Sequence, residues 1–165
     1  MDYAQLGDAI TAKTQDTLSR ILKNTILEKG YAGAIDFCNL NALAISTHYE
    51  EKDIKIKRIS FQIRNQENQP DKNEVKQLEY FLQLAKSGSL PSSKLVVEEN
   101  GRVHYYKPII LQTLCLNCHG KPGTEVNAET LAILQKKYPA DEAMGYANGE
   151  WRGLWHLTFE PDPEN

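Results

Sequence analysis

"KLVVEENGRVHYYKPIIL", residues 94–111, decides the fold. Two runs rich in Val, Ile and Tyr flank Asn100-Gly101, a dipeptide that supplies the positive φ of a tight turn, so the stretch reads as strand, turn, strand. "DIKIKRISFQI", residues 53–63, alternates with period two and reads as another strand around 54–63. "RGLWHLTFEP", residues 152–161, reads as a last strand before an acidic, Pro-containing tail. These stretches exclude an all-helical bundle.

Helical patterns surround the strands. Leu6, Ile10, Leu18, Ile21, Leu22 and Ile26 follow helical spacing over residues 2–29, with Asp2 as a cap and Gly30 placed to end the helix. A second helical pattern covers about 34–46, where Ile35, Cys38, Ala42 and Ile45 share one inward face. Asp71 or Asn73 can cap a helix over 74–86 closed by Gly88, and Asn127 can cap a short one in "NAETLAILQKKY". Helices first, then strands interleaved with helices, predict an α+β domain with a small antiparallel sheet. One domain is expected over residues 1–165, with a front helix over 1–30 and a tail over 155–165.

The 165 residues suffice to bury one core, and a composition of 41% hydrophobic and 25% charged residues is that of an ordinary globular domain. A net charge of −3 from 19 basic and 22 acidic side chains gives no electrostatic footprint for nucleic acid. No apolar run is long enough to span a membrane, and the start "MDYAQLGDAI" lacks the pattern of a signal peptide. Three cysteines cannot all pair, so a disulfide scaffold is not expected.

Two of those cysteines lie in "CLNCHG", residues 115–120. Cys-x-x-Cys-His is the attachment pattern of c-type haem: two thiols at this spacing reach the two vinyl groups, and the following histidine is held under the iron. Cys115 and Cys118 are the expected attachment residues and His119 the axial ligand. A zinc site needs four ligands, and only the addition of Cys38 would complete a Cys₃His set. A redox dithiol would stand in a βαβ context that the chain lacks. Cys38 by itself reads as a small buried hydrophobe.

"AIDFCNLNALAI", "RISFQIRNQENQPDKNE", "YYKPIILQTLCLNCHG" and "YPADEAMGYANGEWRG" occur in this order. Together they resemble a family of c-type haem domains of PAS-like fold, met in cyanobacteria as a photosystem-associated protein and elsewhere as extracytoplasmic sensor modules. The likeness runs from about residue 30 to 155; in "RNQENQP" the family more often has a proline after the first Arg-Asn pair. The resemblance implies that the cysteine of the first segment, here Cys38, is the second axial ligand. A coordinated thiolate stabilises ferric iron and lowers the potential.

Softer candidates surround these. His48, His104, His156 and Met144 are alternative ligands. Arg58 and Arg64 suit haem propionates, because guanidinium matches carboxylate geometry. Tyr105, Tyr106, Tyr146, Trp151 and Trp155 are core aromatics by default and also suited to wall a haem.

The expected role is a haem-based redox or gas sensor module: on reduction Cys38 leaves the iron and NO or CO takes its place. The alternative is an electron-transfer cytochrome with a redox partner protein. No acid–base pair suggests an enzyme. Covalent haem is loaded outside the inner membrane of bacteria, so a periplasmic or other extracytoplasmic location follows, with a signal or anchor expected to have been removed. A homodimer through the front helix is suggested by fold analogy alone.

Overall fold

The computed structural model describes residues 2–47 and 54–161, and the side chains of 2–37 and 54–161. Helix α1, Tyr3–Thr47, contains two arms that meet at Gly30, whose φ of 69° and ψ of −177° are non-helical. That backbone region is open essentially to glycine alone, so the predicted break after residue 29 is a kink rather than a loop. Asp2 Oδ1 caps the front arm by accepting from the amides of Ala4 and Gln5, each at 3.1 Å. The buried hydroxyls of Thr11, Thr14 and Thr25 donate to the carbonyls of Gly7, Ile10 and Ile21 one turn back. Threonine can therefore be buried in this arm without an unpaired hydroxyl.

Four strands follow: β1 Ile54–Ile59, β2 Lys94–Val97, β3 Val103–Ile110 and β4 Trp151–Phe159. They form one antiparallel sheet in the order β1-β4-β3-β2. The fold is thus α+β, a long N-terminal helix and flanking helices on a four-stranded antiparallel sheet. The turn between β2 and β3 has Gly101 at φ 84°, with Arg102 N donating to Asn100 Oδ1 at 3.0 Å. The hairpin turns where the Asn-Gly pair predicts, but through a three-residue loop, 99–101, closed by Glu98 N donating to the Arg102 carbonyl at 2.8 Å, with Gly101 and not Asn100 at positive φ.

Side chains alternate between the two faces. Ile56, Val103, Tyr105, Trp155, Leu157 and Phe159 form a buried layer against Tyr3, Leu6, Ile10 and Leu18 of the front arm. On the other face Ile59, Tyr106 and Leu154 pack on Leu78 and Phe81. Both of these belong to α2, Lys72–Lys86. Each is fully buried, worth roughly 1.5–3 kcal/mol apiece. Asp71 caps α2 in a reciprocal capping box with Glu74, so the helix starts two residues earlier than the periodicity indicates. A third cluster joins Ile35 of α1 to Val126 and to Leu134 of α4, Ala128–Lys137, which Asn127 caps.

Two boundaries differ from expectation. β1 stops at Ile59, not near 63, because Ser60 turns its hydroxyl to the Arg152 carbonyl at 2.8 Å and pairing ends there. The tail expected from residue 155 begins only after Phe159, since residues 155–159 are the paired heart of β4.

The central strand also carries a bulge. Ile109 faces Gly153 and Ile110 faces Trp151, leaving Arg152 without a residue opposite. Trp151 packs in the same cluster as Leu154, so the alternation is reset at this point. Arg152 is turned to the other face, as bulges commonly re-aim a side chain.

Candidate functional site

The Cys-x-x-Cys-His stretch follows β3 directly. Residues Thr113–Cys115 make a 3₁₀ turn that runs into α3, Leu116–His119, a single helical turn. Over so short a helix Cys115 and Cys118 lie three apart, so both thiols share one side. Both are partly exposed, and Cys118 also packs against the cluster around Val126 and Leu134.

The segment 141–146 wraps around this turn. Its backbone amides at Gly145 and Tyr146 donate to the carbonyls of Gly120 and His119 at 2.9 and 3.0 Å. In return His119 Nδ1 lies 2.7 Å from the Ala143 carbonyl oxygen. A carbonyl can only accept, so Nδ1 carries the proton and donates, and Nε2 is the ring nitrogen with its lone pair available. Gly120 lets the turn itself close, its amide donating to the Leu116 carbonyl at 2.8 Å: a Cβ there would stand 2.5 Å from that oxygen.

Arg64 braces the same segment. Its Nε donates to Asp141 Oδ2 at 2.9 Å, and Nη2 donates to the carbonyls of Cys118 and Ala143 at 2.5 and 3.2 Å. Asp141 Oδ1 in turn accepts from the Ala143 amide at 2.8 Å. The guanidinium thus ties the end of the β1 segment to both the cysteine motif and the loop that orients His119.

Electrostatically the site is cationic. Burial depresses the His119 pKa well below the usual histidine value, and Arg64, Arg152 and Arg58 lower it further against the pull of the Ala143 carbonyl. The imidazole is therefore neutral, the form that ligates a metal. Arg58 lies over the Trp155 ring at 5.7 Å from its centroid, and Arg152 over Tyr146 at 5.2 Å. Arg152 also donates to Ser60 Oγ, yet no carboxylate among the described residues lies within ion-pair distance of it. Arg152 is half-buried, and its burial lowers its pKa against the pull of Tyr146 and the more distant Asp141. An imidazole nitrogen, two thiols and a half-buried guanidinium with no carboxylate in ion-pair contact among the described residues suit a metal-bearing group that attaches through sulfur and carries negative charge.

Other predicted residues fall elsewhere. His104 and His156 stand on the α2 face, bonded to each other, with Tyr106 stacked on His156. Tyr105 is core under the front arm, and Trp151 is in the cluster around Leu78. Met144, like Cys118, packs against the Ile35 cluster. The side chain of Cys38 and all of His48 lie outside the described residues. Among the described residues no three His, Cys, Asp or Glu side chains form a group that could hold a metal ion, and no helix is long and apolar enough to cross a membrane. Arg152 and the Ala143 carbonyl were not foreseeable as partners, since one depends on a bulge and the other on a backbone oxygen. The glycines that flank Arg152 in "GEWRG" are the only hint of irregular strand structure.

The molecule is an α+β domain that presents a Cys-x-x-Cys-His turn, clasped by its own loop, beneath an arginine-bearing sheet. It belongs to the Tll0287-like family, whose model matches residues 3–159. The fold is similar to the crystal structure of the cyanobacterial haem protein Tll0287, with a TM-score of 0.62 and 20% identity over 98% of each chain. No curated protein matches the chain.

Proposed function

We propose that this chain carries one covalent haem, joined through Cys115 and Cys118 and ligated by His119, and serves as a redox- or gas-responsive module. The observation that carries the reading is the clasp on His119: Nδ1 is committed to Ala143, which leaves Nε2 to the metal and fixes the ring's orientation. That the similar crystal structure is of a haem protein supports it. In attachment each thiol adds across a vinyl group, forming one C–S bond while its proton goes to the neighbouring carbon. When bound, haem supplies a one-electron redox centre whose iron can take a small diatomic ligand.

The chain's own residues do the rest. Ala143 holds the histidine tautomer, and Arg64 with Asp141 holds Ala143. Arg152 is the better propionate partner on this geometry, with Arg58 acting from the same side, because Arg64 is engaged by Asp141 and two carbonyls. Cys38 as second axial ligand rests on the family resemblance. It stands on the arm beyond Gly30, so a change at its sulfur would be passed along the second arm of α1. Covalent attachment implies an extracytoplasmic location.

Haem staining after denaturing electrophoresis tests attachment: colour should stay with the polypeptide and vanish in Cys115→Ser with Cys118→Ser. Ferric and ferrous optical spectra of the wild type and Cys38→Ala test ligation. A low-spin thiolate signature lost in the variant, with CO binding on reduction, supports the responsive module. A ferrous protein that keeps both ligands and refuses CO and NO would turn the reading to an electron-transfer cytochrome.

A further inference from the structure

The opposite face of the sheet holds a second cluster that this function does not use. A cleft of about 360 Å³ opens between α2 and the β2–β3 hairpin. Along it four side chains stand in line. Glu98 Oε1 is 3.1 Å from His104 Nε2, His104 Nδ1 is 2.9 Å from His156 Nε2, and His156 Nδ1 is 2.7 Å from Glu74 Oε1.

Each of these three contacts needs one hydrogen. Two neutral imidazoles bring two, one per ring. The Thr158 hydroxyl, 3.4 Å from His104 Nδ1 and 3.3 Å from His156 Nε2, brings a third, but it lies beside these two nitrogens and can cap only one of their lone pairs, so it does not supply the hydrogen between them. We propose that the cluster binds one additional proton, shared between His104 and His156, and that its arrival docks Glu98 onto His104. With only two hydrogens the contact left bare is the one at Glu98. Glu74 is 3% exposed and also accepts from Lys57 Nζ at 2.8 Å and the Asp71 amide at 2.8 Å, so it cannot turn away. The Glu98 side chain is 35% exposed and has Arg102 at 3.6 Å as an alternative partner. A lone pair on His104 Nε2 facing a carboxylate is repulsive, and Glu98 is the group that can leave.

The charges around the pair favour this balance. From β1 Lys57 is matched by Glu74; from α2 come Asp71 and Lys76; from the hairpin come Glu98 and Arg102. Lys55 and Glu160 flank the outer end, where Glu160 accepts from Arg102 Nε at 2.8 Å. Tyr106 contributes a stacked ring, centroid 4.5 Å from His156. Two carboxylates and the Thr158 hydroxyl face the ring nitrogens directly, and among the described residues no cation does.

Long-range ¹H–¹⁵N spectra of the haem-loaded, histidine-labelled full chain between pH 5 and 9 test the proposal. The signals of His104 and His156 should move together with one midpoint and an uptake of one proton in total. Glu98→Gln offers an amide N–H to Nε2 in place of a carboxylate, so uptake should weaken about tenfold, a shift of about one pH unit. Glu98→Ala should weaken it in the same direction. Separate midpoints for the two rings, no uptake across the range, or variants that behave like the wild type would overturn it. The outcome is independent of whether His119 ligates iron.

Discussion

Arg64 Nε and Asp141 Oδ2 meet at 2.9 Å across 77 residues of chain, with only 14% and 3% of the two side chains exposed. Charges withdrawn from water to this degree are costly to separate. Replacing Arg64 by Ala leaves the Asp141 carboxylate buried alone and should destabilise the fold by about 3 kcal/mol. Denaturant unfolding measures this. The same variant should loosen His119, seen as a broadened Nδ1–H resonance; a sharp, unshifted resonance would show that Ala143 holds the ring without help.

Gly7 sets two effects against each other. Alanine there would favour the helix by about 1 kcal/mol. Yet its Cβ would stand 2.5 Å from the Tyr105 ring, which is fully buried and whose hydroxyl donates to Asp8 at 2.7 Å. Overpacking of a fixed ring costs about 1–3 kcal/mol. Gly7→Ala should therefore lower the melting temperature, whereas helix propensity alone would raise it.

Glu74 gives the stability a sign in acid. Burial alone would raise its pKa, but hydrogen bonds from His156, Lys57 and the Asp71 amide outweigh burial and hold it at about 2, against 4.5 in an open chain. A depressed carboxyl stabilises the fold above the unfolded value, and the gain is lost as pH falls from about 4.5 towards 2. Allowing for solvent in the cleft, the effect is on the order of 2 kcal/mol. Unfolding curves at pH 5 and pH 2.5 should show this loss in the wild type and a much smaller one in Glu74→Gln.

Gly30 tests the joint between the two arms. Its φ of 69° with ψ of −177° is costly for any side chain, so Gly30→Ala should destabilise the protein by about 1–3 kcal/mol. Nothing lies within 4 Å of a Cβ built at this site, so the loss would come from the backbone and not from a clash. Equal stability would mean that the arms can join at another angle.

The legible parts of the chain were those set by local chemistry. Asp71 and Asn127 cap the helices where short polar side chains precede an apolar run, Asn100-Gly101 makes its turn, and Gly30 interrupts α1. Cys115, Cys118 and His119 announced themselves by spacing, and the structure sets them on one short turn. What stayed hidden depends on distant partners. β1 ends at Ile59 because Ser60 is drawn to the Arg152 carbonyl, 92 residues away. Arg64 looked like a residue for an outside anion, but a carboxylate and two carbonyls of the chain itself engage it. The relay on the α2 face joins Glu74 to residues of two strands, which only the pairing of Tyr106 with His156 brings into line.

The bulge in β4 makes position and identity separable at residue 152. Substituting Arg152 removes a charge and leaves the strand in phase. Deleting it would shorten the strand by one and restore strict alternation, so Trp151 would be carried out of the α2 layer into the space where the guanidinium stood. The first change would remove the guanidinium; the second would put an indole in its place. The length of this strand, as much as its composition, therefore decides which of the two side chains its far face presents.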